Sequence, residues 1–286
     1  MKEVKVKIIR DDNKEFIIDN TVWGIPSDGL SGFDGVDNEV STENMSSGDG
    51  SIKTGSRIGE KDRTIKARLK NRSLNEIQRK VVTSFFNPKH SFKVYLTYMG
   101  RTRWCEGEQI GYSCPTDNVY KPLELTWTIL STMPYMMSVD NYGENISALI
   151  PLFGFPFRSI VDYGFGVGAY RYAKEVVIEN NGDVETFFRC LIIATGDVKN
   201  PKLIKDDKYV RFIDTMIDGD VYEIDFVSKP PTVKKNGVNA IGKTDRTSSL
   251  TQMAIDVGGG KFGFDADDGS TNMKVEIYRY ERYLGI

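Results

Sequence analysis

Leu123-Glu124-Leu125-Thr126-Trp127-Thr128-Ile129-Leu130 alternates apolar and polar side chains along most of its length. Successive strand residues point to opposite faces of a sheet. Leu123, Leu125, Trp127 and Ile129 therefore fall on one buried face, and Glu124, Thr126 and Thr128 on a wetter one. The same period recurs on both sides of this stretch. Val4, Val6 and Ile8 alternate with Lys5, Lys7 and Ile9, and Ile65, Ala67 and Leu69 alternate with Lys66, Arg68 and Lys70. In the second half, residues 175–178 run into a turn at Asn180-Asn181-Gly182, and residues 187–194 form a continuous apolar run suited to a central strand. Residues 209–214, 221–226 and 232–235 follow at short intervals, Asn236-Gly237 is a hairpin turn signal, and residues 273–280 alternate again. Many short strands with regular turns predict a mainly β chain, with a β-sandwich in its second half.

One stretch breaks the period of two. Ser73-Leu74-Asn75-Glu76 reads as a capping box, and Leu74, Ile77, Val81 and Phe85 then recur at helical spacing before Asn87-Pro88. The spacing predicts a helix over residues 74–86, packed across an open sheet or a barrel mouth. Residues 27–59 are dominated by Gly, Ser, Asp and Asn and cannot build a core. A loop of that length is functional or unstructured. It reads as an arm that orders against a neighbouring subunit, with Trp23, Ile25, Leu30, Phe33 and Val36 as the apolar groups available for that interface. The first strand-rich block ends near Met133-Pro134-Tyr135, and residues 137–147 are polar enough for a linker. The expected domains are 1–136 and 137–286.

Composition excludes several classes. The net charge of -2 suggests neither nucleic acid nor an anionic membrane surface as partner, and no apolar run approaches the roughly 20 residues of a membrane span. The start, Met1-Lys2-Glu3-Val4-Lys5, has no apolar run of the kind a signal peptide carries. The single histidine, His90, nearly removes histidine-based triads and metal sites. Cys105, Cys114 and Cys190 match no metal spacing; free thiols are expected, although a Cys105–Cys114 disulfide is geometrically open.

The sharpest motif is Gly237-Val238-Asn239-Ala240-Ile241-Gly242-Lys243-Thr244, which fits the phosphate-cradling pattern G-x-x-x-x-G-K-[ST]. That chemistry needs a parallel strand before the loop and a helix after it. Pro230-Pro231 precedes the loop and only about forty residues follow. The segment is therefore read as a hairpin turn and polar loop, with Lys243 solvated. Asp265, Asp267 and Asp268 resemble a piece of a calcium loop but lack the glutamate and flanking helices, so they read as an acidic surface turn. Gly164, Gly166 and Gly168 read as an extended glycine-rich segment rather than a dinucleotide loop. No nucleophile, base and orienting group combine. No enzyme, cofactor or metal is expected.

Several of these segments together resemble the siphophage distal tail proteins. They are Arg63-Thr64-Ile65, the helix with its Asn87-Pro88 stop, Arg101-Thr102-Arg103, the strand at 123–130 with Pro134-Tyr135, and the Asn180–Thr186 hairpin. Gly196–Pro201, Gly219-Asp220 with Ile224-Asp225, Asn236–Asn239 and the ending Arg282-Tyr283-Leu284-Gly285-Ile286 continue the order. Residues 165–172 and 258–270 depart from it. The resemblance implies a barrel or split-barrel-like N-terminal domain that closes a homo-oligomeric ring, expected to be a hexamer. The tail tube protein would lie on one face and the tail-associated hub protein on the other. It further implies a galectin-like sandwich pointing outward, with a receptor-binding protein as a further candidate partner. The setting would be the virion tail tip of a phage or prophage, assembled in the host cytoplasm. The alternative is a carbohydrate-binding module for the host cell wall, with Tyr170 and Tyr172 as candidate stacking surfaces.

Overall fold

The computed structural model describes residues 4–116, 120–146, 148–150, 169–171 and 176–286. The chain is mainly β and divides into two compact units, one of Met1–Val139 with Arg282–Ile286 and one of Asp140–Glu281.

The first unit is built from β1 (Val4–Arg10), β2 (Glu15–Ile18), β3 (Trp23–Gly24), β4 (Leu30–Ser31), β5 (Asn38–Asn44), β6 (Ser51–Ile58) and β7 (Lys61–Leu69). The helix α1 (Asn75–Phe85) follows, then β8 (Ser91–Tyr98), β9 (Arg101–Ser113), β10 (Glu124–Ser131) and β11 (Met136–Ser138). An antiparallel sheet runs in the order β2-β1-β8-β9-β10-β7-β3. Its two ends, β2 and β3, are consecutive in the chain, and Phe16 and Trp23 bring their rings to 6.0 Å. The sheet thus curls into a nearly closed barrel. The alternation of β10 is realised: Leu125, Trp127 and Ile129 are buried, while Thr126 and Thr128 keep partial access to water.

The helix closes this barrel, but not by the stripe its spacing predicts. Val82, Phe85 and the following Phe86 are buried, whereas Ile77 is 63% exposed and Val81 40%. Polar ties set this rotation. Gln78 Oε1 accepts from Trp23 Nε1 at 3.0 Å, Asn75 Nδ2 donates to the Lys121 carbonyl at 2.9 Å, and Arg79 Nη1 donates to that of Cys114 at 3.3 Å. These contacts turn the face of Asn75, Gln78 and Arg79 inward. The expected capping box is replaced as well. A 3-10 turn, Arg72–Leu74, precedes the helix, and Asn71 caps it by accepting from the Ser73 amide at 3.0 Å. At the other end Arg10 Nη1 donates to the carbonyls of Ser84 and Phe85, both at 3.1 Å, satisfying acceptors that the last turn leaves open. Phe86 then packs 5.0 Å from Trp127, whose Nε1 donates to Gln109 Oε1 at 2.9 Å.

Two segments read as irregular are ordered strands. The expected linker at 137–147 contains β11 and the strand Tyr142–Asn145, and the expected arm at 27–59 contains β4, β5 and β6. The last residues also return to the first unit. Arg282–Tyr283 pairs with β11, matching Met136 to Tyr283 and Met137 to Arg282. Arg103 Nη1 donates to the Gly285 carbonyl, and the Ile286 amide to that of Phe33.

The second unit has two antiparallel sheets. One runs Tyr142–Asn145, Met273–Arg279, Phe188–Ala194, Val221–Asp225, Thr232–Lys235, Val238–Asn239, and the other Val176–Ile178, Gly260–Asp265, Lys202–Lys205, Lys208–Arg211. Side chains from both sheets enter one core, among them Phe188, Ile192 and Val275 from the first and Leu203, Val210 and Phe262 from the second. This is the sandwich its strand spacing implies. Phe188–Ala194 is central, with strands on both sides, but its apolar run is broken by the exposed Arg189 and its burial alternates, with Phe188, Cys190, Ile192 and Ala194 entering the core. Gly259 is the one glycine of Gly258-Gly259-Gly260 that packing makes obligatory: at φ +112° a Cβ would lie 2.4 Å from the Ile178 carbonyl oxygen. Gly164, Gly166, Gly168 and Tyr172 lie outside the described residues.

Candidate assembly surface

The feature of the first unit least explained by its own packing is the hairpin of β5 and β6. It forms a two-stranded sheet of its own. The register pairs Glu39 with Arg57 and Val40 with Ser56, then shifts between Ser41 and Thr42. Gly48 and Gly50 supply the positive φ angles of the turn. Charge pairs brace it: Arg57 Nε donates to Glu39 Oε2 at 2.7 Å, and at its root Lys61 Nζ donates to Asp37 Oδ2 at 2.6 Å. All of β5 is exposed, and within β6 only Gly55 and Ile58 lose part of their access to water. Val40, Met45 and Ile52 remain 50%, 44% and 57% exposed. An isolated two-stranded hairpin is at best marginally stable in water, because it has no face to bury. It also keeps two open edges of backbone donors and acceptors.

The interface residues expected from sequence divide. Trp23 and Phe33 are 2% and 3% exposed and belong to the unit's own core, so they have little surface to offer a neighbour. Ile25, Leu30 and the edge of Phe33 line one groove of about 840 Å³ with Val4, Leu96 and Ile286. Val36 is half-buried and does not line that groove. The apolar groups that the hairpin does offer, Val40, Met45 and Ile52, were missed. The one signal for them was the turn at Gly48-Asp49-Gly50, since the flanking runs 38–44 and 51–58 hold few strand-forming residues.

The motif residues of the second unit are engaged in structure. Asn236 and Gly237, at φ 52° and 79°, form the tight turn between Thr232–Lys235 and Val238–Asn239. The strand before the glycine is antiparallel to its partner and a three-residue 3-10 turn follows, so no phosphate loop is formed. Lys243 is not a freely solvated loop residue. Its Nζ lies 2.9 Å from Asp214 Oδ2, which also takes hydrogen bonds from Lys235 at 2.9 Å and the Tyr222 hydroxyl at 2.8 Å. Burial works against the Asp214 charge, but those three donors hold its carboxyl well below the usual range. Asp220 is lowered to about 2 by Asn236, Lys235 and the Ile217 amide. Asp267 Oδ2 accepts from Asn200 Nδ2 at 2.7 Å and is paired with Arg211. A polar groove of about 310 Å³ includes Lys202, Tyr209 and Arg211. Its aromatic ring is covered by Lys202, 4.3 Å from the centroid, and so is not a bare surface for sugar stacking. Tyr170 lies in the strand Ala169–Arg171.

No protein-family model matches the chain and no curated protein matches its sequence. Solved structures do match its fold. SPP1 Dit, described as a paradigm of the hub adsorption apparatus in phages infecting Gram-positive bacteria, aligns with a TM-score of 0.68. The alignment has 7% identity and covers 98% of this chain and 99% of that one. A chain of the phage p2 baseplate, in its activated conformation with strontium, aligns with a TM-score of 0.50 and 12% identity over 98% of each chain. The chain therefore has the fold of phage tail-hub proteins along nearly its whole length.

Proposed function

We propose that this protein is a structural component of a phage or prophage tail tip, a distal tail hub that closes a ring between the tail tube and the tail-associated hub protein. The observation that carries this reading is end-to-end agreement with SPP1 Dit, both units included, at a TM-score of 0.68. The hairpin of β5 and β6 supports it from the chain's own physics, since a folded projection with both faces wet gains its packing from another molecule. A contact in which a projection on one subunit meets a different surface on the next is heterologous, and heterologous contacts repeated about an axis close into rings. The second unit is then the outward-facing, galectin-like sandwich. The function is scaffolding, with no catalysis.

Mass measurement in solution with negative-stain imaging tests the reading. Six-fold rings that accumulate as protein concentration rises are the expected result. A protein that stays monomeric at high concentration, and does not join rings when mixed with tail tubes, overturns it.

A further inference from the structure

Arg63 stands on the inward face of β7 and is 1% exposed. One amino group, Nη2, donates to the Pro134 carbonyl, and the guanidinium carbon lies 5.9 Å from the Phe33 ring centroid. Nε and Nη1 make no hydrogen bond within the described residues, and no acid pairs with the group. On the neighbouring strand, β10, Ser131 is 0% exposed; its Oγ has no oxygen or nitrogen partner and lies against the Cys105 thiol. Arg63 pairs with Ile129 in the register and Lys61 with Ser131, so Arg63 and Ser131 lie diagonally on one face of the sheet. Cys105, also 0% exposed, neighbours both. Burial raises its thiol to about 11, so it stays protonated and supplies no negative charge. A Cβ on Gly107 would come within 2.5 Å of the Leu130 carbonyl oxygen and 3.1 Å of Ser131 Oγ, so only glycine lets β9 pass this close to β10 here.

An arginine side chain is a donor only, with no acceptor of its own, and it keeps its charge in a protein. Removing that charge from water without an opposite charge is strongly unfavourable. The free groups here are two guanidinium N–H donors, a hydroxyl and a neutral thiol, which together are rich in donors and poor in acceptors. A water molecule there would bring no charge and would leave the guanidinium uncompensated. A monoatomic anion takes donors alone and supplies the missing charge.

We propose that Arg63, Ser131 and Cys105 form a buried halide site, with chloride as the ligand, between β7, β9 and β10. Because Arg63 lies near the start of β7, shortly after the hairpin, and its guanidinium faces Phe33, five residues before the hairpin, the bound anion would brace the segments on either side of it.

The test uses the full chain. Thermal melts are run at fixed ionic strength while chloride replaces gluconate. The transition of the first unit is expected to rise by about 3–6 °C for each tenfold of chloride above the dissociation constant. Arg63→Met should melt independently of the anion. Crystals of the unsubstituted protein grown in bromide should show an anomalous peak between Arg63 and Ser131. Equal melting in chloride and gluconate, a chloride dependence that survives in Arg63→Met, or ordered water without an anomalous peak would each overturn the site.

Discussion

Removing the apolar groups of the hairpin should dissolve the assembly and leave the subunit folded. The perturbation is the pair Val40→Ser and Ile52→Ser. Full burial of such a side chain contributes about 1.5–3 kcal/mol. Val40 and Ile52 are 50% and 57% exposed, so about half of that remains for a neighbour to take up. The pair then removes about 2 kcal/mol per subunit contact, roughly a thirtyfold weakening of each contact. A closed ring multiplies this around its circumference, so the concentration at which rings form should rise by far more than thirtyfold. Sedimentation velocity across a concentration series reads the change. The melt of the first unit should stay within about 0.5 kcal/mol of the unsubstituted protein, because neither side chain belongs to its core. Rings that form at the same concentration in the double variant would refute the reasoning. Excising residues 38–58 is the stronger form of the test. Excising all of 27–59 is not equivalent, since that also removes β4 and Phe33 from the core and should unfold the unit.

Trp127→Ala should cost about 3–5 kcal/mol in denaturant unfolding of the first unit, because a ring 0% exposed and packed on Phe86 and Phe92 leaves a cavity; a loss under about 1 kcal/mol would contradict that packing. Asp214 and Asp220 are held below their unfolded pKa of about 3.9, so their contribution to the second unit is complete above about pH 4 and is lost as pH falls through the folded values, for Asp220 about 2. A denaturation midpoint that stays flat from about pH 5 to about pH 2, or an unchanged acid slope in the Asp214→Asn, Asp220→Asn pair, would refute this. Lys243→Ala should lose about 0–1 kcal/mol, since its ion pair with Asp214 is half exposed, and should change no nucleotide affinity. Magnesium-dependent ATP binding in calorimetry that disappears with the substitution would restore the phosphate loop.

What could be read from sequence, and what could not, follows from the range of the forces involved. The strand at 123–130 was legible because period-two alternation is local and burial of Leu125, Trp127 and Ile129 follows from it directly. The helix was legible in position but not in rotation. Ile77 and Val81 satisfy helical spacing as well as Val82 does, and the choice between faces is made by partners such as Trp23, 55 residues away from Gln78. The hairpin at 38–58 was read as loop because its strands lack a buried face. Without one, the hydrophobic alternation that reveals strands is missing. Trp23 and Phe33 were read as interface groups because their neighbours in sequence are polar, whereas the core they enter is assembled from distant strands. The Arg63 cluster was invisible, since Ser131 and Cys105 approach it only through strand pairing.

The pairing of Arg282–Tyr283 with β11 makes the second unit an insertion within the first rather than a tail attached to it. The chain leaves the first unit at Val139 and re-enters it at Arg282 beside the strand from which it departed. During synthesis the barrel therefore waits for the entire sandwich before its last strand can dock, so the two units mature in a coupled order. The same adjacency gives the sandwich an entry and an exit close together in space, the geometry that tolerates domain exchange. The inserted sandwich can thus be exchanged for another module by cassette replacement while the barrel that carries it keeps its register.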